Sequence, residues 1–465
     1  MKQVIVILLL LGQFAFGQNL NEKLSKEFTY NEFLGYVKKY HPLVKNANLE
    51  INKAQANLMM ARGGFDPKIE VDFNEKQFKN TEYYSILNSS FKIPTWYGIE
   101  IKASFDNNEG VYLNPENTVP NQGLTSLGIT IPLGQGLFIN QRMTDVRKAK
   151  VQLQLSEAER KLQAIAVLYD ASVAYFNWKK NYSEVQLYET YNKNAQIRFD
   201  GIKSLIKAGD KRAIDSVEAG ISLKSRLLSL EDSQLKLNKA KLELSNFLWL
   251  DNSIPLEISD GLTPELDLEG SIQETLQTND LVNREFSLEN HPKINALENK
   301  IEILTLEKKL KANMLLPKID VGYSYLSEPS YIDNYQFEDY KIGLNFSFPL
   351  FLRKERGSLK LAKFKIQETE FILNLEKVQL SNKISAQKIE ILSLEKQNII
   401  IKKLAQDYTL MLKSEERLFS FGESSMFLIN SRENNLISSQ LASIILENRY
   451  FISNSELFKI MANPD

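Results

Sequence analysis

No cysteine occurs among the 465 residues, so disulfides, thiol chemistry and a thioether lipid anchor are excluded, and stability must come from packing and assembly. Histidine is nearly as scarce. His41 and His291 are the only two, each stands before a proline at a helix start, and neither has neighbours suited to catalysis or metal binding. Helix capping is the role this position gives them. An excess of one charge is also lacking: 57 basic residues face 58 acidic ones, which leaves no field to draw nucleic acid. The sequence holds no phosphate loop, no nucleophile motif and no metal-ligand spacing, so nothing in it points to an enzyme, a cofactor or a bound metal.

Long apolar runs are the last absence. Met1 to Gly17 carries Lys2, an apolar run from Val4 to Leu11 extended through Phe16, and small residues at Ala15 and Gly17. This predicts a secretory signal peptide over 1–17, cleaved before Gln18, because the run is too short for a membrane anchor. Beyond it no run approaches the length of a membrane-spanning helix. A chain of this kind crosses a bilayer only as a β-barrel.

What is present is a duplication. His41 to Val71 recurs without a gap as His291 to Val321: His41-Pro42 returns as His291-Pro292, and Pro67-Lys68-Ile69-Glu70-Val71 as Pro317-Lys318-Ile319-Asp320-Val321. Ile131-Pro132-Leu133 has its echo in Phe348-Pro349-Leu350. A period near half the chain length excludes a solenoid and predicts pseudo-twofold construction.

Periodicity divides the chain accordingly. Residues 18–65 read as the N-terminal helices of the first repeat, with Thr29 and Glu32 as a capping box and a second helix from Pro42 to Arg62. Residues 66–139 form its β-strand region, and 140–250 its long helical hairpin. Residues 251–290 read as a connector. The second repeat follows as a helix over 291–316, a β-hairpin over 317–352 and a long helical hairpin over 353–465. The long helices, from Asn140 to Lys207 and Arg356 to Ser420, each extend roughly 100 Å, and Gly209 and Gly422 supply left-handed caps where the chain turns back. Each returning helix is shorter, and a short N-terminal helix set end to end with it would match the long partner.

The strands are one-sided. Ile69, Val71 and Phe73 alternate with charged and polar residues, as do Ile129 and Ile131, Val321 and Tyr323, and Leu344 and Phe346. Aromatic residues gather near the strand ends at Phe138, Tyr331, Tyr335, Phe337, Tyr340 and Phe351, so these strands suit a lipid-facing wall. The first repeat carries an extra hairpin near residues 83–106. Its sequence leaves open whether it joins the wall, extends outside or folds into the lumen. Four principal strands per chain are too few for a barrel, which needs about eight, so oligomerisation is required.

Ala174-Tyr175-Phe176-Asn177 on the first long helix, Phe348-Pro349-Leu350 at a strand exit, and Gly209 with Asp215 at a helical tip resemble the motifs of the TolC-like outer-membrane efflux family. The order of elements, repeated twice, extends that resemblance over nearly all of the mature chain. It implies an α+β membrane protein in which long antiparallel coiled-coil hairpins form a periplasmic tunnel beneath a shared transmembrane β-barrel. It also implies a homotrimer of twelve strands in the outer membrane with a periplasmic extension. Such a duct serves tripartite efflux or type I secretion passively, driven by an inner-membrane pump through a periplasmic adaptor. The competing class is a periplasmic coiled-coil adaptor or scaffold without a barrel. Such proteins set one helical hairpin in small soluble β-domains, whereas this chain has two hairpins of each kind.

By resemblance, Asp215 matches the family's acidic tip, where a threefold axis would make a carboxylate ring and cation filter. As an alternative it is a first-turn partner of the helix dipole. The second repeat departs from that pattern, with Leu428, Ser431 and Arg432 where the later gate positions fall. The gate is therefore acidic at Asp215 or formed by Leu428 or Arg432. Lys207, Gly209, Asp210, Lys211, Arg212, Gly422 and Glu423 make up the tips and are candidates for adaptor contact, with Asp210 and Glu423 read chiefly as helix-capping acids.

Overall fold

The computed structural model describes residues 27–259, 261–276, 286–331 and 336–462. The expected signal peptide, Tyr335 and part of the connector lie outside them. The described elements are β1 (Glu27–Phe28), α1 (Tyr30–Tyr40), α2 (Pro42–Arg62), β2 (Lys68–Phe78), β3 (Thr81–Pro94), β4 (Glu100–Glu109), β5 (Leu124–Pro132), α3 (Gln141–Lys207), α4 (Ala213–Ser245), β6 (Trp249–Leu250), β7 (Ile254–Pro255), β8 (Thr263–Pro264), α5 (Leu268–Leu276), α6 (Pro292–Asn313), β9 (Lys318–Ser327), β10 (Tyr340–Ser347), α7 (Arg353–Ser420) and α8 (Met426–Met461). They fall into two compact units. Among the described residues no helix is long and apolar enough to cross a membrane.

One unit comprises Met1–Lys45, Ile165–Glu285 and Ile384–Met461. Its core is an aromatic knot in which Tyr30, Phe33, Tyr175, Phe176 and Trp178 are all fully buried. Thr29 and Glu32 form the expected capping box at the start of α1. The motif Ala174–Asn177 serves packing. The Tyr175 hydroxyl donates to the Phe28 carbonyl (2.5 Å) and accepts the Glu265 N–H (3.1 Å), which holds the parallel pair β1–β8 against α3. The Tyr30 hydroxyl meets Ser172 Oγ at 2.7 Å, and Glu265 also accepts the Tyr30 N–H. Burial pushes the Tyr30 and Tyr175 phenols upward, so both remain neutral.

The histidines cap, as their position predicts. His41 Nδ1 accepts the Leu43 N–H and His291 Nδ1 accepts the Lys293 N–H, each two residues on, in the unit to which it belongs. His41 stacks on Phe247 with ring centroids 5.5 Å apart, and desolvation lowers its pKa, which keeps the neutral, accepting imidazole.

The second unit comprises Asn46–Ala164, Phe286–Lys383 and Ala462–Asp465, and contains the large sheet. Here the four principal strands, β2, β5, β9 and β10, share one sheet with the extra hairpin, whose place the sequence left open. The sheet has six strands in the order β10-β9-β5-β4-β3-β2, every pair antiparallel, and the extra hairpin is β3–β4 in the middle of it. Lys79 and Asn80 both take positive φ, so β2 and β3 join through a two-residue turn of the kind that matches strand twist.

Candidate functional site

Residues directly paired across an antiparallel ladder share a face, so the register alone sorts the sheet's side chains. One row runs Ile69, Phe91, Ala103, Leu127, Tyr325, Tyr340 from β2 to β10, and the next runs Ile93, Ile101, Ile129, Tyr323, Ile342. The expected lipid-facing residues Ile69, Val71, Phe73, Ile129, Ile131, Val321, Tyr323, Leu344 and Phe346 all fall on this face. Leu344 is 71% exposed and Ile69 76%. The opposite face carries Lys68, Lys92, Lys102, Ser324 and Lys341 in one row and Glu70, Ser90, Ser104 and Ser126 in the next, with Leu326 interrupting it. There Glu70 pairs with Lys92, and Ser104 meets Ser126 at 2.7 Å.

Aromatic residues mark both ends of the strands. Phe138 and Phe351 are exposed at the end that leads into the long helices. At the other end Tyr83 packs on Phe78 and Tyr112, a cluster the sequence reading missed because it lies in the extra hairpin and its loop.

At the tips Gly209 and Gly422 take φ of 84° and 82°. The N–H groups of Gly209 and Asp210 bond to Ile206 and Leu205, and those of Gly422 and Glu423 to Phe419 and Leu418, so both long helices close in the same Schellman arrangement. The returning helices begin three residues later than expected, at Ala213 and Met426. Asp210 and Glu423 therefore stand in the turns and not in a first helical turn, which corrects their reading as capping acids. The capping falls to Asp215, whose carboxylate accepts the Arg212 N–H at 3.2 Å, and to Ser425, whose hydroxyl accepts the Leu428 N–H at 3.3 Å. Lys211 lies over the Phe419 ring, and an open cleft of about 370 Å³ separates the two turns. Lys207 and Arg212 are exposed, Leu428 is 38% exposed, and Arg432 pairs with Glu415 at 3.5 Å.

The sequence reading missed an ion cluster near the tips. Glu433, 1% exposed, takes Arg198 at 3.0 Å and Arg226 at 3.3 Å, and Arg226 also donates to Asn434. The signal was available. Glu433 lies on the stripe formed by Met426, Ile429, Leu436 and Ile437, and an acid within a buried apolar stripe calls for a buried cation. Beside it, burial pushes the Tyr191 phenol up to about 12.

One more surface is unpartnered. Along α7 nine of the fourteen exposed large hydrophobic residues, Leu361, Phe364, Phe371, Leu375, Val378, Ile389, Leu392, Ile399 and Leu410, fall on two alternating positions of a single heptad. A seam at a strict seven-residue repeat is the mark of a helix that packs against another helix.

The model of the outer membrane efflux protein family matches residues 36–248. That stretch of the chain is similar to members of the family. No curated protein matches the sequence. Solved structures extend the likeness to the second repeat. A membrane protein from Pseudomonas aeruginosa superposes with a TM-score of 0.67 at 15% identity, over 93% of this chain and 92% of that one. The Vibrio cholerae outer membrane protein VceC gives 0.64 at 14% identity, over 93% and 96%. The Campylobacter jejuni CmeC outer membrane channel gives 0.64 at 14%, over 93% and 85%. At such identities the structures share a fold with this chain, and the likeness to the family rests on the matched stretch.

Proposed function

We propose that copies of this chain, three by family resemblance, close an outer-membrane channel with a periplasmic extension, the exit duct of an efflux or type I secretion system. The observation that carries this reading is the sheet: one face apolar and exposed, the other polar, with β2 and β10 left as open edges. A single copy has too few strands to close a barrel, and an open edge in hydrocarbon leaves backbone groups unsatisfied. Strand β2 runs away from the helices and β10 towards them, so β10 of one copy meets β2 of the next antiparallel. The heptad seam on α7 supports helix packing between the same copies. A barrel-free adaptor would have no use for such a sheet face.

In this reading transport is passive. A periplasmic adaptor docks at the tips, around Lys207, Gly209, Asp210, Lys211, Arg212, Gly422 and Glu423, and an inner-membrane pump supplies the energy. The gate lies among Asp215, Leu428, Ser431 and Arg432.

An arginine scan of the sheet tests the channel. Val71, Ile129, Val321 or Phe346→Arg should block assembly in the outer membrane at about 2 to 4 kcal/mol per chain near mid-bilayer, whereas Glu70→Arg or Asn345→Arg should be tolerated. Equal loss of membrane-extracted trimer from both faces would sink the reading.

A further inference from the structure

The β3–β4 hairpin is the part of the sheet that neither the duplication nor the family resemblance explains. Its strands are long enough to cross a bilayer: β3 has 14 residues and β4 has 10, where a tilted strand needs about 9 to 11. Over the part nearest α3 its faces continue those of its neighbours, with Phe91, Ile93, Ile101 and Phe105 on the apolar side and Ser90, Lys92, Lys102 and Ser104 on the polar side, while Ser85, Ser89 and Asn107 interrupt the apolar side farther out. Its inward strand also ends as the others do. β3 stops at Ile93-Pro94 and β5 at Ile131-Pro132, where proline offers the ladder no N–H.

The turn between β3 and β4 is fastened to the base of α3. Asn140 Nδ2 donates to the Trp96 carbonyl at 2.8 Å, Arg142 donates to Glu100 at 2.7 Å, and Trp96 stacks on Phe65. Gly98 sits there at φ 73°, and a Cβ on it would lie 2.6 Å from the Gly136 carbonyl oxygen. A hairpin hanging outside the cell or folded into the lumen needs neither a lipid-compatible face nor this attachment.

We propose that β3 and β4 are membrane-spanning staves of the barrel wall, so that three copies of the six-stranded sheet close eighteen strands instead of the twelve implied by the family resemblance. The proposal rests on the channel reading above. Strand number stays even and every pair stays antiparallel, as membrane barrels require. Diameter grows roughly in proportion to strand number, which makes this mouth about 1.5-fold wider than a twelve-stranded one. A mouth of that width, lined by charges of both signs, passes large hydrated cargo.

The absence of cysteine allows single nitroxide labels to be placed without background. The full mature chain, reconstituted in phosphatidylcholine liposomes, would carry one label at a time through Ala103→Cys, Ser104→Cys, Ile129→Cys or Ser126→Cys. The expected result is relaxation by lipid-soluble oxygen at 103 and 129, and by an aqueous nickel chelate at 104 and 126. If both 103 and 104 respond to nickel while 129 responds to oxygen, the hairpin lies off the wall and the channel stands. If 129 also fails to respond to oxygen, the channel reading falls and the proposal with it. A second variant lacks residues 95–132, so that Ile93-Pro94 takes the place of Ile131-Pro132. Distances between copies of a Val321→Cys label should be about 1.5-fold longer in the intact chain than in this variant. Equal distances overturn the proposal, and if the shortened chain does not assemble, the label pattern decides alone.

Discussion

The long helices α3 and α7, of 67 and 68 residues, occupy corresponding places in the two repeats but use their apolar residues differently. Helix α3 places Ala171, Tyr175, Phe176 and Trp178 wholly inside its own protomer, whereas α7 buries a narrow line through Ile366, Leu373 and Leu380 and leaves a second heptad seam exposed. After duplication, one long helix serves the chain's own core and the other keeps an apolar seam exposed. Length and cap are shared, and the face is what has diverged.

The strongest test of that division is Phe371→Asp combined with Ile389→Asp. Both residues are exposed in the protomer, so the mass in detergent should drop to that of a single chain while helical circular dichroism is kept. Loss of helicity together with assembly would place α7 in the protomer's core. Next in size is Trp178→Ala. It removes a fully buried side chain and should destabilise the protomer by about 3 to 5 kcal/mol in urea titration, with proportionate loss from the membrane fraction. If Phe371→Ala lowers the unfolding midpoint of the dissociated protomer as much, the contrast between the helices fails.

The helix ends should behave alike where the faces differ. Gly209→Ala and Gly422→Ala each force a Cβ into the left-handed region at about 1 to 2 kcal/mol, and neither meets a steric neighbour, so their effects on tip protection in hydrogen exchange should match. Unequal effects would show that the two tips are constrained by more than backbone conformation.

The smallest effect concerns the helix that His41 opens. Because its pKa is lower in the folded chain than the ordinary 6.5, the unfolded form takes up the proton first. Stability from the neutral cap is thus complete above about pH 6.5 and declines as pH falls below it. Exchange at the Leu43 amide should quicken between pH 7 and 5, and His41→Asn, which keeps a capping acceptor, should remove the pH dependence. An unchanged dependence in that variant would assign it to another group.

The helical plan was legible because its punctuation is local. His-Pro opens α2 and α6, Gly63-Gly64 follows α2, and glycine ends both long helices. The starts of α4 and α8 were harder to read. Lys211, Arg212 and Ala213 are all good helix formers, so nothing in composition shows that the first two belong to a turn. Strand β3 was blurred by its Ser85, Asn88, Ser89 and Ser90, which dilute the alternation that β2 shows plainly. Its place in the wall depends on pairing with β2 and β4, and pairing is a tertiary fact. The Arg198–Glu433–Arg226 cluster was half legible: the misplaced acid is visible in the sequence, its two cations are not.

The order of the strands also sets a schedule. Strands β2 to β5 form a meander of sequence neighbours, with the longest link between Glu109 and Leu124, and can pair early, but Ile131 of β5 must wait for Val321 of β9, 190 residues later in the chain. Closing so long a loop is slow, and meanwhile β5 offers an unsatisfied edge to any passing strand. The sheet is thus completed in two instalments, and its most vulnerable moment in biogenesis is the interval between them.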